Sequence, residues 1–310
     1  MTSFSADVKN ELARLTYRRP CCRRAETAGL LRLGAAMTLG AGGALGLSFV
    51  TENAAVARKA LTLLKEAGPV ETEIAVRRFR RLKKNNTYTV QVRPSEEVAA
   101  LLKTLGLTPK TMPQAAHEGP LLRRSCCRIA YLRGAFLGGG SVNRPAAACH
   151  LEFVAPNYQI ADLLQSLLKK VALPGGLTER KDAYVVYLKE GDAIADLLAL
   201  MEAEAAVEAF EVARNVREVR NQVNRLVNCE TANINKTAAA AAKRIAEIRQ
   251  LKGSGKLNRL PEPLQKTALA RIEHPDATLS ELAALLGIGR SGVNHRLRRI
   301  AELAKEEEEH

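Results

Sequence analysis

Hydrophobic and polar positions follow one pattern twice in the first two-thirds of the chain. Each copy begins with apolar residues at helical spacing and continues with an apolar strand, an amphipathic helix, a hairpin of alternating residues and a closing helix. The strands ALGLSFV (44–50) and ACHLEFV (148–154) stand at equivalent points of the two copies. This order, α-β-α-β-β-α, predicts an α+β domain over 1–203 that consists of two similar halves, about 1–110 and 111–203.

The two copies also share residues at a constant offset of 105 positions. CCRRAETAGLLRLGAA begins at Cys21, and CCRIAYLRGAFLGGGS begins at Cys126. The coinciding pairs are Cys21/Cys126, Cys22/Cys127, Arg23/Arg128, Ala25/Ala130, Gly29/Gly134 and Gly34/Gly139. These coincidences indicate a duplicated half-domain, with helices over 23–33 and 128–137 in equivalent places.

Beyond the duplicated domain, apolar positions step by four and then three residues along one continuous segment. The members of this stripe are Val212, Val216, Val219, Val223 and Leu226. The stripe predicts a long helix over 203–228, and an alanine-rich pattern predicts a second helix over 235–251. The stretch 252–256 has the glycine and serine content of a flexible linker, so we expect 204–256 to connect two domains.

The segment 257–305 contains the start and stop signals of a small helical domain. A helix over 263–273 begins with a proline and ends before another. Thr278-Leu-Ser-Glu281 is a capping-box pattern that starts a second helix, and Gly287 suits its left-handed end. A third helix follows over 290–301. These signals predict a helix-turn-helix, and the acidic tail, 306–310, is expected to be disordered.

The third helix of this domain has the side chains of a recognition helix. It carries several arginines and no acid before Glu302, with a core expected from Leu282, Leu285, Leu286, Ile288, Val293, Leu297 and Ile300. Arginine and asparagine suit guanine and adenine edges, and hydroxyls suit phosphate. The predicted DNA-binding residues are Thr278, Ser280, Arg290, Ser291, Asn294, His295, Arg296, Arg298 and Arg299. The alternative is a three-helix module that docks on a partner protein.

Charge and composition narrow the class of partner. The chain has 47 Lys and Arg against 33 Asp and Glu, a net charge of +14, which favours polyanions but also suits any soluble basic protein. Aromatic residues make up only 4%, without tryptophan, which argues against a stacking platform for single strands and leaves duplex DNA. There is no apolar run of transmembrane length and no secretory leader, so we expect a cytoplasmic, nucleoid-associated protein.

A strongly basic hairpin, RRFRRLKK (77–84), is a second candidate for DNA contact. Like charges packed this closely repel one another, which favours an anionic partner. The predicted secondary patch consists of Arg77, Arg78, Arg80, Arg81, Lys83 and Lys84. The alternative is a solvated edge strand whose charges prevent aggregation.

The six cysteines include two adjacent pairs, Cys21-Cys22 and Cys126-Cys127. Neither pair has the two-residue spacer typical of zinc chelation, so small buried thiols without a metal are expected. The alternative is that the pairs meet across a pseudo-twofold axis and bind a metal or oxidise. No cofactor is expected, because the glycines at 138–140 are not followed by the Gly-Lys-Ser/Thr of a phosphate loop.

The repeated helices resemble the signature helices of LAGLIDADG homing endonucleases. LRGAFLGGG (132–140) fits that motif well and TAGLLRLGA (27–35) fits more loosely. The resemblance implies two packed helices above DNA-gripping sheets. At the positions of the metal-binding acids this chain has Gly34 and Gly139, and glycine offers no side-chain oxygen to ligate Mg²⁺, so no catalytic residues are expected. An active nuclease would need other acids, such as Glu26 or Glu152.

Several segments together resemble the WhiA family of regulators in Gram-positive bacteria. They are SFSADVKNELARL (3–15), CCRRAETAGLLR (21–32), CCRIAYLRGAFLGGGSV (126–142), NRLVNCETANINK (224–236) and SGVNHRLRRI (291–300). The resemblance implies a sequence-specific transcription regulator of cell division and chromosome segregation, and of sporulation where the host sporulates. A DNA-binding scaffold remains an alternative.

The resemblance leaves the partners and one segment undefined. Promoter DNA is the expected partner, with a second transcription factor or RNA polymerase as candidate protein partners, and the oligomeric state is open. The segment 224–236 is either a polar junction between two helices or a contact with DNA or with the helix-turn-helix.

Overall fold

The computed structural model describes residues 3–78, 86–110, 119–144, 146 and 148–305. Within it the chain divides into two compact units, Met1–Val219 and Arg220–His310. Four cations of the predicted basic hairpin lie outside the described residues; they are Arg80, Arg81, Lys83 and Lys84. The predicted acidic tail, 306–310, also lies outside them. Among the described helices, none combines the length and the apolar character that a membrane crossing requires.

The first unit contains the two predicted halves. The elements of the first half are α1 (Phe4–Arg14), α2 (Pro20–Gly34), β1 (Ala35–Leu39), β2 (Leu45–Thr51), α3 (Ala54–Ala67), β3 (Thr72–Arg77), β4 (Thr87–Val92) and α4 (Glu96–Leu105). Those of the second are α5 (Ser125–Gly139), β5 (Gly140–Val142), β6 (Leu151–Ala155), α6 (Tyr158–Lys170), β7 (Gly176–Arg180), β8 (Ala183–Leu188) and α7 (Gly191–Leu200). The α+β class and the duplication are therefore confirmed.

Each half forms one antiparallel four-stranded sheet with the same strand order. The orders are β1-β2-β4-β3 and β5-β6-β8-β7. The predicted order lacked β1 and β5, so each half has one strand more than expected. Both strands follow the signature helix directly and are short and poor in large apolar residues, which explains why periodicity did not indicate them.

The core lies between the sheets and the helices that cover one face of each. In the first sheet, Leu47 pairs with Val92 and Phe49 with Val90, and all four side chains are buried. In the second, Leu151 pairs with Leu188 and Phe153 with Val186, again all buried. The alternating residues point away from this core, because successive side chains of a strand face opposite sides of the sheet.

Helices α2 and α5 pack so closely that their backbones touch. A Cβ atom added to Gly29 would lie 2.2 Å from the carbonyl oxygen of Tyr131, and one added to Gly134 would lie 2.0 Å from that of Glu26. No real side chain tolerates such distances to backbone atoms. The repeated glycines are thus required by the crossing of the two signature helices.

After the second half, one continuous helix, α8, runs over Glu204–Gly253. The prediction of two helices with a polar junction at 224–236 is wrong, because that exposed segment lies inside α8. The segment 204–252 contains no glycine or proline, the residues that most strongly disfavour a helix interior. Asparagine disfavours a helix much less, so the asparagines of this segment do not interrupt α8. Val212 and the other members of the predicted apolar stripe lie on α8 with exposed side chains.

The second unit ends in the predicted three helices, α9 (Glu262–Glu273), α10 (Leu279–Leu286) and α11 (Arg290–Lys305). Leu282, Val293, Leu297 and Ile300 are buried as expected, whereas Leu285 was expected in the core and is 59% exposed. Ile248, Leu251 and Leu257 share this core. The stretch predicted as a flexible linker therefore consists of the end of α8 and a turn, flanked on both sides by core residues.

Candidate nucleic-acid interface

The start of α10 is fixed by the capping box predicted from the sequence. The backbone N–H of Glu281 donates to Thr278 Oγ1 at 3.2 Å, and the backbone N–H of Thr278 donates to Glu281 Oε2 at 2.7 Å. These bonds to Thr278 lower the pKa of the Glu281 carboxyl. Gly287 ends the helix with φ +64°, in the left-handed region. Helix α10 is therefore fixed at both of its ends, and the turn to α11 begins at Gly287.

The buried Arg271 was not identified from the sequence. Its guanidinium donates to the carbonyl oxygens of His274 (3.4 Å), Pro275 (3.4 Å) and Ala277 (2.6 Å), which form the connection between α9 and α10. Burial lowers the pKa of Arg271. A basic residue in the last turn of a helix often donates hydrogen bonds to nearby carbonyls. The position of Arg271 in the last turn of α9 was the sequence feature that could have indicated this role.

Helix α11 separates its apolar and polar residues onto opposite faces. Val293, Leu297, Ile300 and Ala304 are buried against the rest of the unit. The exposed residues of α11 that were predicted to bind DNA are Arg290, Ser291, Asn294, His295, Arg298 and Arg299. Their exposure leaves one polar side of the helix open to a groove.

Not every predicted DNA-binding residue points away from the protein. Arg296 is half-buried, and its Nη1 lies 3.5 Å from the carbonyl oxygen of Pro263. Arg299 forms an ion pair with Glu302 at 3.1 Å. Thr278 and Ser280 are exposed at the start of α10, where the Thr278 hydroxyl caps the helix. Spacing along the sequence did not distinguish the side chains that bond within the protein from those that are only exposed.

Gly34 and Gly139 are the last residues of α2 and α5, where the LAGLIDADG motif would place its acids. A Cβ atom at Gly34 would lie 2.3 Å from Cε2 of the buried Phe49, so no side chain fits there without displacing that ring. A Cβ atom at Gly139 would lie 3.0 Å from the carbonyl oxygen of Val154. The space for a carboxylate at Gly34 is therefore filled by core.

The two acids that could replace the missing ligands have protein partners. Glu26 is fully buried, and Lys59 Nζ lies 3.2 Å from its carboxylate. Burial raises the pKa of Glu26, and the charge of Lys59 offsets part of that rise. The Glu152 carboxylate accepts from the Ser141 hydroxyl at 3.2 Å and lies 3.1 Å from His150 Nε2.

The basic hairpin begins at the outer edge of the first sheet. Edge strand β3 ends at Arg77, and both Arg77 and Arg78 are exposed. Its solvent-facing side also carries acid, because Glu73 pairs with Arg93 on that sheet. The described cations of the predicted patch, Arg77 and Arg78, therefore lie at the end of a strand that also carries acid.

The paired cysteines converge at the N-terminal ends of α2 and α5. Cys22 and Cys127 are buried as expected, but Cys21 and Cys126 are only partly buried. The four sulfurs lie within 4.8 Å of one another. A hydrogen bond with Cys127 lowers the pKa of Cys21, whereas burial raises the pKa of Cys22. Among the described residues, no other group of three or more His, Cys, Asp or Glu side chains is placed to hold a metal ion.

Family models cover most of the chain. Residues 20–108 match the WhiA N-terminal LAGLIDADG-like domain, residues 128–220 match the WhiA LAGLIDADG-like domain, and residues 223–304 match the WhiA C-terminal HTH domain. The order of these matches is the order of the two halves and the helix-turn-helix.

Whole proteins and solved structures agree with these matches. "Probable cell division protein WhiA" of Desulforamulus reducens is 48% identical, covering 98% of this chain and 95% of that protein. The protein of the same name from Heliobacterium modesticaldum is 44% identical, covering 98% and 96%. The crystal structure of full-length DUF199/WhiA from Thermatoga maritima superposes with a TM-score of 0.58 at 25% identity, covering 98% and 99%. The N-terminal LAGLIDADG domain of DUF199/WhiA, at 21% identity and a TM-score of 0.52, covers 65% and 91% and shares the fold. This chain belongs to the WhiA family.

Proposed function

We propose that this protein is a sequence-specific DNA-binding regulator of transcription that acts in cell division and chromosome segregation, and in sporulation where the host sporulates. The observation that carries the proposal is the exposed polar side of α11, next to a capped α10. Arg290, Asn294 and Arg298 follow one another at i, i+4 spacing there. Arginine reads guanine and asparagine reads adenine in the major groove. The relatives' name supplies the link to cell division.

The partner in this proposal is double-stranded promoter DNA in the nucleoid. The net charge of +14 supports association with DNA at any sequence, and α11 supplies the selection among sequences. Arg77 and Arg78 at the edge of the first sheet, with the basic residues that follow them in the sequence, are the proposed secondary DNA patch. A second transcription factor or RNA polymerase would bind elsewhere on the protein.

We further propose that the protein has no nuclease activity. The support comes from Gly34 and Gly139, which lack a side-chain carboxylate, and from the partners of Glu26 and Glu152. Hydrolysis in the homing-endonuclease manner needs carboxylates that hold divalent metal between the two signature helices. The duplicated domain then serves as a packed scaffold and DNA-facing surface, without chemistry.

A second candidate function, a DNA-binding scaffold, is favoured by the apolar stripe on α8. Its side chains are between 53% and 61% exposed; they are Val212, Val216, Val219, Val223 and Leu226. Exposed apolar rows of this kind are typical of surfaces that pack against another protein. In that case DNA binding would be weak and indifferent to sequence.

A gel shift of the full chain on pooled host genomic fragments, at physiological salt with Mg²⁺, distinguishes these functions in one lane. We expect selective retention of a few intact fragments, which would also supply the operator. Strand breaks would contradict the proposal and make the protein an enzyme. Uniform weak retention, with an affinity that does not change in an Arg298→Ala variant, would support the scaffold instead.

A further inference from the structure

The four paired cysteines form a compact cluster between the two halves of the first unit. The Sγ atoms of Cys21 and Cys22 are 4.0 Å apart, as are those of Cys126 and Cys127, and all four sulfurs lie within 4.8 Å of one another. Each pair occupies the first turn of its helix, α2 or α5. The duplication thus brings two distant sequence pairs to one point.

The surroundings of the cluster favour negative charge. Neither α2 nor α5 has an acid in its first turn or a side-chain hydrogen bond that caps it, so both helix N-termini direct their partial positive charge toward the sulfurs. The N-cap residues are Arg19 and Arg124, and Arg19 Nη1 lies 4.0 Å from Cys126 Sγ. Two arginines and two helix ends therefore face a group of thiols that can become thiolates.

We propose that Cys21, Cys22, Cys126 and Cys127 together bind one Zn²⁺ ion as a four-thiolate structural site. In tetrahedral zinc–thiolate sites the Zn–S distance is about 2.3 Å, which places the sulfurs about 3.8 Å apart. The observed separations exceed that value by about 1 Å or less, a change that side-chain rotation supplies. An iron–sulfur cluster would need the sulfurs farther apart, because iron and sulfide atoms lie between them.

The charges balance in this site. Binding releases one proton from each of four thiols and leaves a zinc–tetrathiolate with a net charge of minus two. Arg19, Arg124 and the two helix N-termini lie where they offset that charge. Each half of the duplicated domain contributes two adjacent cysteines as ligands, Cys21 and Cys22 from α2 and Cys126 and Cys127 from α5. The site therefore does not need the spaced cysteine pairs that are usual in zinc sites.

The site would fasten the first turns of α2 and α5, while Gly29 and Gly134 hold the same helices together farther along. Zinc binding would then be linked to the stability of the first unit, since the unfolded chain has no preformed site. DNA reading by α11 does not depend on this linkage, so the zinc proposal and the proposed function can fail separately.

The test begins with the full chain, purified under reducing conditions without chelator, and its metal content measured by plasma mass spectrometry. We expect one zinc per chain. Chelator-treated protein titrated with Co²⁺ should show thiolate-to-metal charge transfer and the intense visible bands of tetrahedral cobalt, and Zn²⁺ should remove both signals. No saturable binding of either ion, or a cobalt spectrum without thiolate bands, would overturn the proposal.

Variants distinguish the cluster from the other two cysteines. Cys22→Ser and Cys127→Ser should lose the cobalt spectrum, whereas Cys149→Ser and Cys229→Ser should keep it. Should the cluster variants fail to fold, thiol alkylation of the reduced wild-type protein replaces them. Zn²⁺ should protect four thiols and leave Cys149 and Cys229 reactive. Equal alkylation of all six with and without zinc, or a cluster that forms disulfides and binds no zinc after reduction, would reject the site.

Discussion

The two units of the chain differ in what they offer to DNA, although the sequence predicts DNA contact for both. The second unit has an exposed polar helix face with Arg290, Asn294 and Arg298 beside a capped turn. The first unit has the signature helices of a nuclease fold but glycines at the ends of both. The comparison teaches that a fold can keep the two packed helices of a LAGLIDADG-like domain when glycine stands at the positions of the motif's acids.

The repeated residues of the first unit serve packing. Gly29 and Gly134 allow the backbones of α2 and α5 to touch, and the space beside Gly34 is filled by Phe49. In the second unit the capping box and Arg271 fix the connection between α9 and α10, and α11 leaves one polar face exposed. Sequence signals of similar strength thus correspond to a core contact in one unit and to an exposed polar helix face in the other.

Removing the second unit should have the largest effect. We expect a chain that ends at Val219 to lose sequence-specific affinity by roughly 10³-fold, about 4 kcal/mol, because only non-specific phosphate contacts would remain. Fluorescence anisotropy with an operator fragment and a scrambled fragment measures the difference. Far-ultraviolet circular dichroism controls for folding of the shortened chain. Unchanged specific affinity would assign sequence reading to the first unit.

The glycine crossing should give the next largest effect, on stability instead of affinity. In Gly134→Ala the new Cβ meets the Glu26 carbonyl oxygen, so the helices must separate, at a cost of about 3 kcal/mol. Gly119→Ala is the control, since a Cβ there meets no atom of the described residues within 4 Å. Urea unfolding measures both. Equal stability of the two variants would contradict the backbone contact between α2 and α5.

The features that the sequence predicted correctly are set by local physics. The capping box of α10, the left-handed Gly287 and the apolar stripe of α11 each depend on residues within a few positions of one another. The duplication was visible because Gly29 and Gly134 keep a fixed offset. Both strand hairpins followed from alternation and turn residues.

The missed features depend on context that the local pattern does not contain. Strands β1 and β5 contain few large apolar residues, and Leu285 has the spacing of a core residue yet faces solvent. The polar residues of 224–236 suggested a junction because asparagine favours caps, but an uninterrupted helix tolerates them. The meeting of Cys21 with Cys126 depends on how α2 crosses α5, which is a long-range property.

Within α11, two neighbouring arginines should differ in effect. We expect Arg298→Ala to weaken operator binding by about 1–3 kcal/mol, because its side chain is exposed on the face of α11 that we propose enters the groove. Arg296→Ala should change affinity much less, since that side chain leans on the carbonyl of Pro263. Anisotropy titrations over a range of salt concentrations distinguish the two kinds of contact. Loss of a phosphate contact lowers the slope of log affinity against log salt concentration by about one, whereas loss of a base contact does not. A larger loss for Arg296→Ala would reverse the assigned orientation of α11.

Substitutions at the start of α10 should have the smallest effects. They distinguish a hydroxyl that caps the helix from one that only contacts DNA. Thr278→Ala removes the hydroxyl that accepts from the Glu281 N–H, which should destabilise the second unit by about 1 kcal/mol. Ser280→Ala removes an exposed hydroxyl from the same turn and should leave stability unchanged. If both hydroxyls also contact phosphate, each variant will weaken DNA binding by a similar factor, while only Thr278→Ala lowers the midpoint of thermal unfolding. Equal midpoints would mean that Arg271 alone holds the connection between α9 and α10, and that the capping box contributes nothing measurable to the stability of the second unit.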